Sequence, residues 1–263
     1  EAMMFFVRFP QGSDAATSSA VVFTISKDVF TGSKRQRVFM HIGVIVATEP
    51  MIAPIIGGWI VTLVSWRWIF LLQALLGSVA LIGVVRMDES LRPTGEPPTI
   101  GQVAASYLRL LANYRYILVL LTVSIPCVPA FAFIGGSADL YITRLGFSEQ
   151  VYGYFFGFNA LAFVLAPLAF SRAVRRVPLF RLMPLALCGM LASALLLVCP
   201  FLPMPWRLTL PMFTLTFCYA FCRPAGNNLI LEQVDRDTGA ASSLMVFGHF
   251  MIGSTAMAVF SLD

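Results

Sequence analysis

The sequence predicts an all-α membrane protein, built as a bundle of helices that cross the bilayer. Its composition is the first reason, because 58% of the 263 residues are hydrophobic and only 12% are charged, whereas soluble domains carry about 25% charged residues. The second reason is that the apolar residues form long runs, and about 20 such residues are enough for a helix to span a membrane. The third is that the basic residues lie mainly in short connections between the runs. There they report membrane orientation, so the net charge of +5 does not indicate nucleic-acid binding.

Eight apolar segments are long enough to be transmembrane helices. They are residues 2–26, 38–64, 67–87, 115–143, 150–171, 180–203, 207–231 and 239–262. The fourth segment contains Pro126 and Pro129, and a proline inside a helix removes a backbone hydrogen bond and bends the helix. We therefore expect the fourth transmembrane helix to be kinked.

The connections alternate between strongly and weakly basic. The weakly basic set carries Arg67, Arg144 and Arg207, and the strongly basic set lies at 27–37, 86–115, 172–181 and 236. Because positive charge concentrates on the cytoplasmic side of a membrane, we expect the strongly basic connections in the cytoplasm. The first span then enters from the outside, which favours a longer parent protein with an odd number of spans upstream.

The longest connection, residues 88–114, is predicted to be a cytoplasmic linker that contains an interfacial helix. It begins with a proline-rich stretch, and apolar residues then recur with helical spacing at 100, 103, 104, 107, 108 and 111. This pattern is typical of a helix that lies on a membrane surface. We predict that residues 1–87 are the last three spans of an N-terminal six-helix bundle. Residues 115–263 would then be the first five spans of a C-terminal bundle.

Several stretches resemble motifs of the major facilitator superfamily of transporters. Residues 8–12 (R-F-P-Q-G) resemble the R-x-x-Q-G motif in the fourth span of its drug exporters. Residues 53–59 (A-P-I-I-G-G-W) resemble the fifth-span antiporter motif, and residues 65–70 (S-W-R-W-I-F) resemble the start of span six. Residues 152–155 (Y-G-Y-F) with Asn159, and residues 239–244 (G-A-A-S-S-L), resemble the Bcr/CflA branch, which confers bicyclomycin and chloramphenicol resistance.

The resemblance implies a major facilitator helical bundle of which this chain holds spans four to eleven out of twelve, eight in all. It also implies a function: proton-coupled efflux of small, mostly apolar drugs or toxic metabolites across the inner membrane by alternating access. Two alternatives stay open. One is a transporter of the same superfamily for a sugar, amino acid or other metabolite, and the other is a truncated membrane protein that does not transport.

Three charged residues inside apolar segments are candidates for proton coupling: Arg8, Asp14 and Glu49. A charge within the bilayer costs a few kcal/mol even on the lenient insertion scale, so each needs a partner or a water-filled cavity. At about 1.5 Å of rise per residue, Asp14 and Glu49 fall near the middle of the membrane on consecutive helices. Each acid either carries protons or makes a static hydrogen bond. By resemblance Arg8 is a functional residue of the central cavity; alternatively its side chain reaches the outer interface.

The candidates for the substrate cavity are Gln11, Asp139, Arg223, Asn227 and Asn228. Arg223 and the two asparagines lie in the seventh apolar segment, which by resemblance is a cavity-lining span. They either bind polar groups of a substrate or satisfy the backbone at a local helix break. Asp139 is either a gate that attracts cations or a solvated residue at the mouth. His249, in the middle of the last segment, either titrates near neutral pH or has a packing role.

The candidates for gating and helix packing are Pro50, Pro54, Gly57 and Gly58. Glycines let helix backbones approach closely, and proline fixes a bend. The resemblance implies that this surface helps to seal the cavity in the outward-closed state of exporters; a simple kink is the alternative.

No group of residues has the spacing of a metal site or of a catalytic motif. We therefore expect no metal, no cofactor and no enzymatic activity. The expected partners are a small-molecule substrate, protons and the lipid bilayer, with no nucleic acid, and we expect a monomer.

Overall fold

A computed structural model describes most of the chain. The described residues are 6, 10, 12, 25, 29, 30, 32–87, 99–198, 203–234 and 237–260; from 32 to 51 the side chains described are those of Lys34, Val38, Ile45 and Thr48. Of the eight predicted spans, 2–26 lies almost wholly outside these residues.

Across the described residues the chain forms nine α-helices and no β-strand, which confirms the predicted all-α class. The helices are α1 (Gly32–Leu63), α2 (Arg67–Val85), α3 (Ile100–Ala112), α4 (Tyr114–Ser124), α5 (Val128–Ala138), α6 (Glu149–Ala173), α7 (Leu179–Val198), α8 (Trp206–Leu231) and α9 (Thr238–Phe260). Their bounds follow the predicted spans closely, with the fourth span divided between α4 and α5.

The division between α4 and α5 lies where the sequence predicts a kink. Residues Ile125–Cys127 form a 3-10 turn that contains Pro126. Pro129 follows in the first turn of α5, where its missing N–H leaves no helical bond broken. After α5 the chain continues as a π-helical segment, Asp139–Arg144.

The helix predicted in the long connection is present as α3, and its position at the membrane surface stays a prediction. It starts with a capping box, in which the Thr99 hydroxyl accepts from the Gln102 N–H and the Gln102 side chain accepts from the Thr99 N–H. Asn113 then ends α3 and caps α4, because its side chain accepts a hydrogen bond from the Tyr116 N–H. Asn113 is thus the single residue that separates the two helices, and it caps both of them.

Five stretches of the described chain are long and apolar enough to cross a membrane. They are Arg67–Val85, Tyr114–Arg144, Glu149–Ala173, Leu179–Val198 and Gly239–Val259. In α1 the apolar part is the shorter stretch Ile52–Leu63. Helix α8 has the length but also carries Arg223, two prolines and two asparagines, which lower its hydropathy. It contributes more buried residues than any other described helix, so it lies at the centre of the helices that pack around it.

The chain divides into two compact units. One consists of Glu1–Val46 and Leu71–Glu96, and the other of Ala47–Phe70 and Pro97–Asp263. In the second unit, α8 packs against α6 and α7, and α9 packs against α5. In the first unit, the part of α2 beyond residue 70 is exposed throughout.

Ion pairing and hydrogen bonding fasten α3 to the segment before α9. Arg109 donates to Asp237 at 2.8 Å, and the Ser106 hydroxyl donates to the same carboxylate at 3.0 Å. One turn into α4, the Tyr116 hydroxyl donates to the Ala241 carbonyl at 2.7 Å in a fully buried position. These bonds hold the linker helix against the bundle that follows it.

Candidate functional site

Several predicted site residues lie outside the part of the chain that can be described. Arg8, Gln11 and Asp14 are among them. Glu49 and Pro50 lie on the helical backbone of α1, but their side chains are outside the description. Their roles therefore stay predictions from the sequence.

Two of the remaining packing candidates, Pro54 and Gly58, lie where α1 packs directly against α6. A Cβ built on Gly58 would lie 2.7 Å from the Glu149 carbonyl oxygen, and a Cβ built on Gly153 would lie 2.8 Å from the Pro54 carbonyl oxygen. Each helix thus offers a glycine to the other's backbone, and we call this contact the α1–α6 crossing. Only glycine permits so close an approach, because any side chain would overlap a backbone atom that cannot move aside.

Gly57, the other glycine of the pair, has a different environment. A Cβ at this position would meet no described atom within 4 Å. The sequence alone treats Gly57 and Gly58 alike, whereas the structure assigns the close contact to Gly58 and leaves space beside Gly57.

The three cavity candidates on α8 lie on one stretch of helix but differ in burial. Arg223 and Asn228 are exposed, and Asn227 is half-buried. The Asn227 Oδ1 atom is buried without a hydrogen-bond partner among the described residues. Arg223 interacts electrostatically with Tyr219 on its own helix and with His249 on α9. The stretch therefore combines an exposed cation with an amide oxygen that can still accept a hydrogen bond.

Asp139 begins the π-helical segment that follows α5. Its carboxylate accepts a hydrogen bond from Arg144 at 3.1 Å, and both side chains are more than half exposed. An exposed pair of this kind contributes little to stability. This exposed position fits a gate that attracts cations, and it fits a solvated residue at the mouth of the bundle equally well.

His249 is 4% exposed and lies against the kinked fourth span. Its Nδ1 atom is 2.8 Å from the Met245 carbonyl oxygen and 3.3 Å from the Ser124 hydroxyl. Bonding to the Met245 carbonyl requires a proton on Nδ1, which leaves Nε2 as an acceptor. Within the described part of the chain, Nε2 has no partner. The imidazole thus has one fixed hydrogen bond and one unused acceptor.

An aromatic cluster fills the space beside the π-helical segment. The ring of Tyr141 stacks on Phe155 at 5.2 Å between centroids, and Phe133 stacks on Phe156 at 5.9 Å. The Tyr141 hydroxyl is paired with the Thr209 hydroxyl at 2.7 Å, where both residues are buried. Phe155 and Phe156 therefore pack inside the bundle rather than facing lipid.

A small cavity lies one turn further along α6, between α5, α6 and α8. Asn159 and Thr216 supply its two polar side chains. Neither residue is among the sequence-based site candidates, although Asn159 belongs to a stretch that resembles the Bcr/CflA branch. The signal available in the sequence was Asn159 itself, a strongly polar residue in the middle of an apolar segment.

The described residues contain no group of His, Cys, Asp and Glu side chains that could hold a metal ion.

Membrane-spanning helices with polar groups between them define the class, a multi-pass helical membrane protein. The chain belongs to the Major Facilitator Superfamily, because the model of that family matches residues 1–258. This confirms the family membership and the fold that the motifs imply. Proteins of this family move small molecules across membranes and are generally not enzymes, and in bacteria they lie in the inner membrane.

The chain is similar to curated transporters over nearly its whole length. It is 28% identical over 255 residues to an uncharacterized MFS-type transporter, YdgK, of Bacillus subtilis, with 94% of this chain and 63% of the relative covered. It is 25% identical over 259 residues to a bicyclomycin resistance protein homolog of Haemophilus influenzae, with the same shares covered. Over 177 residues it is 28% identical to the multidrug transporter MdfA of Edwardsiella piscicida, covering 65% of this chain and 43% of the relative.

The chain thus spans about two thirds or less of the length of these relatives. The bicyclomycin resistance homolog agrees with the Bcr/CflA resemblance of residues 152–155 and 239–244.

Proposed function

We propose that the protein carrying this chain exports small, mostly apolar drugs or toxic metabolites across the inner membrane, driven by protons that move inward. Export proceeds by alternating access, in which the substrate site opens first to one side of the membrane and then to the other. Two of the named relatives are a multidrug transporter and a bicyclomycin resistance homolog, which supports the substrate class.

The α1–α6 crossing is the observation that carries the proposal. It places the exporter-like stretch of α1 in contact with α6 through reciprocal glycines, at Gly58 and Gly153. A contact between two backbones excludes both water and substrate, so it acts as a seal between the helices while it is formed. Pro54 takes part directly because its carbonyl oxygen meets Gly153. Pro50 would set the bend of α1 at this seal, whereas Gly57 leaves space beside it.

Proton coupling is assigned to Arg8, Asp14 and Glu49. Two acids near the middle of the membrane on consecutive helices can pass from a neutral to a charged form as protons bind and leave, and Arg8, nearer the outer side, would add a positive charge to the same cavity. Such a switch gives the two protonation states different preferences for the inward-open and outward-open forms, which is what coupling requires.

The substrate cavity is assigned to Gln11, Asp139, Arg223, Asn227 and Asn228. A mostly apolar pocket with a few polar groups is the usual form of a small-molecule site. Arg223 and Asn227 supply a donor and an acceptor on α8, and Asp139 lies at the mouth, where an acid attracts cationic solutes.

The division of the chain follows from the same proposal. Residues 1–87 belong to the N-terminal bundle, residues 88–114 are a cytoplasmic linker with α3 at the membrane surface, and residues 115–263 belong to the C-terminal bundle. The protein acts as a monomer.

The test is drug transport by the complete gene product in inside-out membrane vesicles. Acidifying the vesicle interior is expected to drive drug accumulation, and a protonophore is expected to abolish it. Glu49→Gln is expected to remove the pH dependence. The matched control is Glu232→Gln, the same change at an exposed acid outside the proposed site, which is expected to keep it. Accumulation that ignores the proton gradient would refute proton coupling. Uptake of a sugar or amino acid without drug efflux would favour the metabolite transporter, and no transport at all would favour the non-transporting protein.

A further inference from the structure

The cavity between α5, α6 and α8 is large enough to hold a small polar group. The space in it that is accessible to water is about 30 Å³, whereas about 10–15 Å³ is enough for one water molecule. Most of its lining is apolar and includes Phe133, Phe156 and Phe163. Two lining residues are polar: Asn159 on α6 and Thr216 on α8.

Both polar residues are deeply buried and incompletely bonded. Asn159 is 5% exposed and Thr216 is 1% exposed. The Asn159 Oδ1 atom and the Thr216 Oγ1 atom have no hydrogen-bond partner in the part of the chain that the structure describes. Leaving a buried polar atom unbonded costs about 1–3 kcal/mol. Two such atoms on the wall of one cavity therefore indicate that a third group bonds to them.

The conformation of Thr216 supports this reading. A threonine inside a helix commonly donates to the carbonyl four residues earlier. Thr62, Thr122 and Thr214 do so, with distances of 2.8, 2.8 and 3.1 Å. Thr216 lies in the same helix as Thr214 but lacks this bond within the described chain. Its hydroxyl is therefore available to the cavity, both as a donor and as an acceptor.

We propose that Asn159 and Thr216 form a binding site for one hydroxyl group, held between α6 and α8. The hydroxyl donates to the Asn159 Oδ1 atom and accepts from, or donates to, the Thr216 hydroxyl. It comes either from a resident water molecule or from the transported solute, whose apolar body would then lie against the surrounding phenylalanines. The second source rests on the proposed export function, and the first does not.

A resident water is tested on the purified complete gene product without added solute. The variants are Thr216→Val, Asn159→Leu and the double variant, which keep the shapes of the side chains while removing their polar atoms. Each single change leaves the water with one protein partner, whereas the double change removes the need for it. If the two single changes acted independently, their shifts in melting temperature would add in the double variant. We expect the melting temperature of the double variant to lie about 2–4 °C above that sum.

A solute hydroxyl is tested with thiamphenicol and florfenicol, two drugs that differ by replacement of one hydroxyl group with fluorine. If the site holds that hydroxyl, Thr216→Val raises the dissociation constant of thiamphenicol about tenfold, which corresponds to one hydrogen bond. Florfenicol binding is expected to change less than twofold. Thr214→Val is the matched control, because its exposed hydroxyl is bonded within α8, and it is expected to change neither drug.

The two arms together decide the proposal. Non-additive melting temperatures identify a resident water. A selective loss of thiamphenicol binding identifies the hydroxyl that fluorine replaces, and an equal loss for both drugs identifies the hydroxyl that they share. Additive melting temperatures combined with unchanged binding of both drugs by Thr216→Val would overturn the site. If the complete gene product binds neither drug and does not export, the proposed function fails, and the melting temperatures alone then decide whether the site exists.

Discussion

Helix α6 contacts its neighbours in two opposite ways within two turns of its length. At Gly153 it touches the backbone of α1 so closely that a methyl group would lie 2.8 Å from the Pro54 carbonyl oxygen. Six residues further on, about 9 Å along the axis, Asn159 borders a cavity and keeps an unbonded oxygen. Near Gly153 there is no space between α6 and α1, whereas near Asn159 there is space beside α6 for a polar group.

The difference separates residues that position the helix from residues that are free to bind. The contacts of Gly58 and Gly153 with backbone oxygens of the opposite helix fix the distance of α6 from α1, because neither side can adjust through side-chain rotation. A buried amide held on such a fixed helix is oriented before any ligand arrives, and preorganised groups of this kind bind with less entropic cost. The α1–α6 crossing therefore supports the cavity as well as forming the proposed seal.

The largest expected effect is at the crossing, on the α6 side. Gly153→Ala would force a shift of two backbones, and overpacking in a well-packed interior costs about 1–3 kcal/mol of unfolding free energy. We expect a lower melting temperature for the purified complete gene product. The measurement is thermal unfolding in detergent.

The control for this prediction is Gly136→Ala on α5. A Cβ there meets no atom within 4 Å in the described chain, and alanine is favoured over glycine in a helix by about 0.5–1 kcal/mol. Gly136→Ala is thus expected to leave stability unchanged or slightly raised. If Gly153→Ala and Gly136→Ala lowered the melting temperature equally, the crossing would not be closely packed.

The next effect concerns the aromatic cluster between the crossing and the cavity. Tyr141→Phe removes the buried hydrogen bond to Thr209, at a cost of about 1 kcal/mol. The loss is limited, because the Thr209 hydroxyl keeps its bond to the Pro205 carbonyl at 3.0 Å. Thermal unfolding checks this, with Tyr154→Phe as the exposed control on α6. If Tyr141→Phe proved as harmless as the control, the cluster would be held by ring packing alone.

The smallest expected effect is at Asp139. Its ion pair with Arg144 is largely exposed, and such pairs contribute about 0–1 kcal/mol. We expect Asp139→Asn to change stability by less than about 0.5 kcal/mol. If Asp139 attracts solutes at the mouth, the variant lowers efflux of a cationic drug more than efflux of a neutral one. Equal efflux of both drugs would leave Asp139 as a solvated residue with no role in transport.

The helices themselves could be predicted from the sequence because their causes are local. Long apolar runs give the spans, and the helical stripe of residues 100–111 gives α3. Pro126 and Pro129 give the break between α4 and α5, because a missing N–H acts within one turn of the chain. The family could be recognised for a similar reason, since its motifs are short and contiguous.

The contacts between helices could not be predicted in the same way. Gly57 and Gly58 are adjacent and chemically identical, yet only Gly58 meets α6, since the face that each presents depends on how the helices are placed. Likewise Thr214 and Thr216 look equivalent in the sequence. Their hydroxyls differ because one lies at the exposed surface of α8 and the other beside a cavity that three helices enclose.

Efflux by Gly58→Ala and Gly57→Ala variants of the complete gene product tests most directly whether the α1–α6 crossing is the seal of an exporter. Both changes add one methyl group at neighbouring positions of α1, but only the first would meet a backbone atom of α6 at 2.7 Å. Proton-driven drug accumulation is to be measured in inside-out vesicles at matched protein levels. If the crossing is the seal, Gly58→Ala abolishes accumulation and Gly57→Ala retains most of it. Equal accumulation by the two variants would contradict this role of the crossing.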